Sequence, residues 1–142
     1  MQEQLIFETQ HWKIILSDKQ VYLGRSVIIC KNDRNNLPAL SLEEWDDLKQ
    51  VIDRFEAGCK KAFGATMFNW SCLMNNAYQN TPPNPQVHWH VKPRYTEPVD
   101  FNGHTFTDPN FGHHYDRDLE AQSEPVNQEL AGKIAEALRK NI

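Results

Sequence analysis

The chain has 142 residues, 39% of them hydrophobic and 11% aromatic, and a formal net charge of −4. That length suits one buried core, and that composition excludes a disordered chain. The acidic balance excludes generic electrostatic binding to nucleic acid, so a nucleotide would need a local site.

In chain order, residues 12–16 read as a strand, and Ser17-Asp18-Lys19 has turn chemistry. A short strand over residues 20–23 is expected to complete a hairpin. Gly24 allows a bend, and residues 26–30 form a further strand, apolar enough to be central. Residues 31–39 are a polar connection that begins as a solvated loop. One strong helix starts at Ser41, where Ser41 and Glu44 make the S-x-x-E capping box. Leu42, Trp45, Leu48, Ile52, Phe55, Cys59 and Ala62/Phe63 follow at helical spacing, and Gly64 stands where a C-terminal cap glycine belongs. This long apolar face should pack across a sheet or against a partner chain.

Residues 67–74 read as another strand, ended by Asn75-Asn76. Residues 80–85 form a loop stiffened by three prolines. The stretch 86–94 then alternates polar and apolar residues. Residues 96–123 are irregular and carry His104, His113 and His114. Pro125 opens a final helix bearing Leu130, Ile134, Ala137 and Leu138. Strands, one long helix, more strands and a last helix predict an α+β fold with an antiparallel sheet. The chain is one domain, with a core over about 10–95 and a C-terminal extension over 96–142.

Cys30, Cys59 and Cys72 are an odd number with no Cys-x-x-Cys pair. A disulfide framework or zinc ribbon is therefore not expected, and a reducing cytoplasm fits best. Met1-Gln2-Glu3-Gln4 has no basic region ahead of an apolar run, so neither a signal peptide nor a membrane span is expected.

The alternating stretch carries the chemistry. In a strand, Val87, Trp89 and Val91 point to one face and Gln86, His88, His90 and Lys92 to the other. Same-face neighbours lie about 6.6 Å apart, so two imidazoles, with an ammonium beyond them, could share one phosphoryl group.

Gln86-Val87-His88-Trp89-His90-Val91-Lys92-Pro93 resembles the histidine triad motif, with its first histidine replaced by Gln86. Residues 22–30 resemble that family's glycine turn and strand, the helix from Ser41 its long helix, and Asn75 its phosphate-binding Asn or Gln. The resemblance covers about residues 10–95 and is nearest to bacterial members of the diadenosine tetraphosphate hydrolase kind. It implies a five-stranded antiparallel sheet, with two such sheets joined in a homodimer. It also implies a nucleotide hydrolase or transferase acting on a phosphoanhydride or phosphoramidate of a nucleotide or dinucleotide. In that scheme His88 attacks the α-phosphorus, the Gln86 carbonyl orients it, and water releases a nucleoside monophosphate. His90 and Asn75 would bind phosphate oxygens, and so could Arg25, which follows the glycine where many members have a further histidine. No tightly bound cofactor and no dedicated metal ligands are implied, although magnesium could accompany the substrate. Thr81 stands near the place of the family's hydroxyl residue without a clear equivalence, and Lys92 replaces a common apolar residue.

Other readings compete. The altered triad could bind nucleotide without turnover. His88 and His90 could instead hold zinc or iron if His113, His114 and Asp116 folded back as further ligands. Trp45 and Trp89 read as core residues, and Cys30 and Cys72 as small buried hydrophobes. Trp12 or Phe7 could stack on a base, and Lys92 reads as a solvated edge lysine.

Overall fold

The computed structural model describes residues 3–142. Met1 and Gln2, part of the stretch read above for a targeting signal, lie outside the described residues. Strands β1 (Gln4–Glu8), β2 (Trp12–Leu16), β3 (Ser26–Cys30), β4 (Met67–Ser71) and β5 (His88–Arg94) form a 5-stranded antiparallel sheet in the order β1-β2-β3-β5-β4. The α+β expectation therefore holds, and β3 is central. No helix among the described residues is long and apolar enough to cross a membrane.

Alternation along the strands sorts side chains between the two faces. Trp12, Ile14, Leu16, Ile28, Cys30 and Val91 join one buried cluster. Helix α1 (Leu42–Phe63) adds Leu48, Val51, Phe55 and Cys59 to that cluster. The last helix adds Leu130, Ile134 and Leu138. Each large side chain buried there contributes roughly 1.5–3 kcal/mol.

Helix α1 begins and ends as expected. The Ser41 side chain accepts from the Glu44 backbone N–H at 3.1 Å, and Glu44 accepts from the Ser41 N–H at 2.7 Å. Gly64 closes the helix in the left-handed region, at φ 75°. The buried stripe differs at its start, because Leu42 is 78% exposed. Trp45 is also partly exposed, its ring edge-on to that of Trp89 at 6.4 Å. Glu44 is buried in their stead. It accepts from Arg34 Nε at 2.9 Å and from Asn32 Nδ2 at 2.8 Å. Burial alone would raise its pKa, but hydrogen bonds from Ser41, Asn32 and Arg34 outweigh that and bring it to about 2. The loop over residues 31–36 is thus anchored from below although its surface is solvated.

Several elements depart from the expected ones. Residues 20–23 are a turn, since the Gln20 amide satisfies the loop that a strand partner would otherwise hold. Its Nε2 donates to the Ser17 and Arg25 carbonyls at 2.7 and 3.0 Å, and its Oε1 accepts from Gly24 N–H at 2.7 Å. Gly24 has φ 90°, and a Cβ there would lie 3.2 Å from Pro93. Strand β1 had not been anticipated; β4 ends at Ser71, and Asn76–Gln79 forms a 3-10 turn. The last helix starts at Gln128, three residues beyond Pro125, behind an Asn127 cap.

The segment over 96–123 is more ordered than expected. Strands β6 (Val99–Phe101) and β7 (His104–Phe106) pair around Asn102 and Gly103, at φ 52° and 81°. This is the Asn-Gly combination of a type I′ hairpin turn. A short helix α2 (Arg117–Gln122) follows, capped by Asp116, and the last helix becomes α3 (Gln128–Asn141).

Arg94 fastens this segment to the sheet face that α1 and α3 leave open. Only 1% exposed, it donates to both Asp108 carboxylate oxygens at 2.7 and 3.1 Å and to Asn69 Oδ1 at 2.9 Å. It also donates to the His113 and Asn110 carbonyls at 2.9 and 3.1 Å.

Removing one partner of such a buried pair strands the other charge. Asp108→Ala is therefore expected to cost about 3–5 kcal/mol of unfolding free energy, read from urea denaturation midpoints.

Candidate active site

The pleat of β5 places His88, His90 and Lys92 on the open face, along a cavity of about 410 Å³. Ile29 stands opposite His88, and Val27 and Ser71 flank His90. The two imidazole centroids are 5.1 Å apart and nearly perpendicular, at 81°. His88 Nδ1 lies 2.8 Å from the Gln86 carbonyl oxygen. A carbonyl only accepts, so Nδ1 carries a proton, and in the neutral imidazole Nε2 keeps its lone pair.

Gln86 reaches the site through that carbonyl. Its side chain turns to the loop after β3, where Nε2 donates to the Cys30 and Asn32 carbonyls at 2.8 and 2.7 Å. Val87 N–H donates to the Arg34 carbonyl at 2.8 Å. These bonds hold the 86–88 backbone, and with it the acceptor for His88.

His90 is held neutral. Burial first, then the charge that His88 carries when protonated and the charges of Lys92 and Arg25, push its pKa down to about 4. Its Nδ1 is buried without a hydrogen-bond partner. A neutral imidazole still has one N–H to donate to an incoming oxygen.

Asn75 lines the same cavity. It follows Met74, whose φ of 62° is a left-handed conformation that costs a side-chain-bearing residue roughly 1–2 kcal/mol. Arg25 lines the cavity from the turn before β3. The structure thus gathers His88, His90, Asn75 and Arg25 around one space.

Two features there go beyond the sequence reading: the burial of Lys92, and Glu120. Lys92 is 6% exposed, so it is not a solvated edge lysine. Its Nζ sits 4.0 Å from the Tyr115 ring centroid and 3.7 Å from Glu120 Oε2. Burial lowers its pKa, Glu120 opposes that, and Arg25 and Arg117 add to it. Glu120 itself, from α2, is 8% exposed, with Oε1 3.6 Å from Arg25 Nε. Periodicity cannot reveal a helix of six residues. The Asp116 cap three residues before Leu119 was the readable signal.

The extension does fold back, as the metal reading required, but it brings Tyr115, Arg117 and Glu120 to the cavity. His113 and His114 line a separate hollow beside Arg94, and the Asp116 side chain caps α2. Among the described residues, no group of three or more His, Cys, Asp or Glu is placed to hold a metal ion. Trp12 is fully buried and donates to the Glu44 carbonyl at 2.8 Å, so it cannot stack on a base. The Phe7 ring is covered by Arg54 at 4.5 Å. Thr81 is exposed and does not line the cavity. Cys30 is buried and Cys72 half-buried.

No family model and no curated protein matches this sequence. Solved structures do. A histidine triad protein from Sinorhizobium meliloti gives a TM-score of 0.72 at 19% identity, covering 99% of this chain and 90% of that one. A Hit-like protein involved in cell-cycle regulation, from Bartonella henselae, gives 0.67 at 16%, covering 100% and 88%. A hypothetical histidine triad nucleotide-binding protein from Sulfolobus tokodaii gives 0.67 at 16%, covering 99% and 84%. At such identities the likeness establishes the fold: this chain has the fold of histidine triad proteins.

The depressed His90 pKa has a consequence for stability. The unfolded chain takes up this proton near pH 6.5, whereas the folded chain resists it to about pH 4. Stability is therefore expected to fall as pH drops from about 6.5 towards 4. His90→Asn should flatten the decline of Tm between about pH 6.5 and 5, measured by calorimetry across that range.

Proposed function

We propose that this chain is a nucleotide hydrolase or transferase that cleaves a phosphoanhydride or phosphoramidate bond at the α-phosphate. A dinucleoside polyphosphate is the leading substrate, and a nucleotidyl-His88 adduct the intermediate. The observation that carries this reading is the 2.8 Å contact between His88 Nδ1 and the Gln86 carbonyl. In the neutral imidazole it leaves Nε2 as the nucleophile, on the wall of a cavity also lined by His90, Asn75 and Arg25.

In this reading the Nε2 lone pair forms a bond to the α-phosphorus. The bond from phosphorus to the leaving group breaks and takes its electron pair outward. His90 and Asn75 donate hydrogen bonds to the oxygens on which charge develops, usually the largest contribution to such catalysis. Water then attacks the phosphorus, the phosphorus–nitrogen bond breaks with its electron pair returning to Nε2, and His88 is restored as a nucleoside monophosphate leaves. Replacing the first histidine of the motif by Gln86 is compatible with this chemistry, because the group used there is the backbone carbonyl. Magnesium would travel with the substrate phosphates. A homodimer joined sheet to sheet, working in the cytoplasm, completes the reading.

Incubation with diadenosine tetraphosphate and with an adenosine phosphoramidate, with and without Mg²⁺, should release AMP. His88→Ala should lower that rate by about 10³-fold or more. Intact-mass analysis of briefly treated wild-type protein should reveal one added nucleotidyl group, absent from His88→Ala. Nucleotide binding without AMP release or adduct would instead make the site a binding module.

A further inference from the structure

We propose that Arg25 and Lys92 form a second anion subsite beside the two histidines. It takes the next phosphate of a phosphoanhydride, which displaces the Glu120 carboxylate. The inference deepens the proposed function and rests on its placing of the α-phosphate at His88 and His90.

Lys92 is two residues beyond His90 on the same face of β5, and Arg25 faces it from the turn before β3. Both charges act on His90, since each disfavours its protonation. Arg25 and Lys92 share one carboxylate, and with Lys19, Arg117 and Asp18 also lining the cavity its cations outnumber its carboxylates. The carboxylate also fits them loosely. It stands 3.6 Å from Arg25 Nε and 3.7 Å from Lys92 Nζ, whereas charge-assisted hydrogen bonds close to about 2.7–2.9 Å. Arg25 Nε and Glu120 Oε1 are both buried without a hydrogen-bond partner. Buried polar groups are ordinarily paired, so this cluster is built around an acceptor that Glu120 replaces poorly.

A phosphate supplies what is lacking. An internal phosphate of a polyphosphate matches the single charge of a carboxylate and a terminal one exceeds it, and in either case the tetrahedral oxygens can bridge a guanidinium and an ammonium. The subsite also selects a substrate class. When Nε2 of His88 bonds to the α-phosphorus of an anhydride, the bond to the bridging oxygen breaks. That oxygen keeps the electron pair, and the negative charge falls on the phosphate held by Arg25 and Lys92, so this step needs no proton. The leaving amine of a phosphoramidate brings no second phosphate and gains nothing from the subsite.

The test is the ratio of ADP to AMP affinity, measured by titration calorimetry without Mg²⁺ on the full chain. AMP places one phosphate at the histidines, and ADP adds the next. Lys92→Met should lower the preference for ADP about tenfold, Lys92→Arg should retain it, and Glu120→Gln should raise it about tenfold. The Lys92→Arg arm separates loss of charge from loss of fold. Ratios within about twofold of wild type in both Lys92→Met and Glu120→Gln would overturn the subsite, as would absence of ADP binding to the wild type. A fall in Glu120→Gln would overturn displacement, because Glu120 would then be supporting the cations. Repeating the titration with α,β-methylene-ADP, whose bridging carbon resists cleavage, reads the ratio without turnover. An ADP preference that obeys these variants in a protein releasing no AMP would retain the subsite and dismiss the hydrolase. AMP release with unaltered ratios would do the reverse.

Discussion

The buried guanidinium of Arg94 is the constraint on which the upper half of the molecule depends. Arginine has five N–H donors in a rigid fork and no means of shedding its charge. Placed at the end of β5 with 1% exposure, it requires acceptors on every side. Asn69 supplies one from β4, and Asp108, Asn110 and His113 supply the rest. Satisfying Arg94 therefore folds the extension over the sheet. Tyr22 continues the attachment, its hydroxyl donating to Asn110 Oδ1 at 3.1 Å and accepting from Asp116 N–H at 2.8 Å. Lys19 holds the far end of α2 through the Ala121 carbonyl at 2.9 Å. The roof carrying Tyr115 and Glu120 is thus fixed mainly by polar bonds.

A second polar chain runs beneath the histidines. Glu44 closes the capping box of α1 and binds Arg34. Arg34 accepts from Val87 through its carbonyl, and the neighbouring Gln86 amide bonds to Cys30 and Asn32. The carbonyl that orients His88 is therefore positioned from the first turn of the long helix. One glutamate caps a helix, anchors a loop and supports the acceptor of an imidazole.

What could be read from the sequence was what repeats. The alternation of β5, the apolar runs of β2 and β3, and the helical spacing after Ser41 each declare a period, and the structure contains them with nearly the expected bounds. Exposed Leu42 shows the limit of that approach, since hydrophobicity at helical spacing does not say where the partner surface begins. The roof was illegible for another reason. Strands of three residues and a helix of six have no period to detect. Only local signals remained, Asn102-Gly103 for the turn and Asp116 for the cap. The face of Lys92 was legible but its burial was not, because that depends on Tyr115 and Glu120, more than twenty residues later. At the site, the histidine pair, Asn75 and Arg25 were legible, while Glu120 and the aromatic floor of Lys92 required the fold.

The pleat of β5 divides the labour of one strand between neighbours. Val87 and Val91 are wholly buried in the core, Trp89 leans on Trp45, and the residues between them line the cavity. Tolerance to substitution along this strand should therefore alternate in kind. From 87 to 92, odd-numbered positions govern how much folded protein a cell accumulates and even-numbered ones what that protein does once folded, whereas Arg94 at the strand's end serves the fold. Chemistry on the even positions can change over evolutionary time without reopening the problem of folding, and Gln86 and Lys92 are consistent with such a history. A one-residue insertion permits no such freedom, because it would exchange the two faces and put the imidazoles into the core.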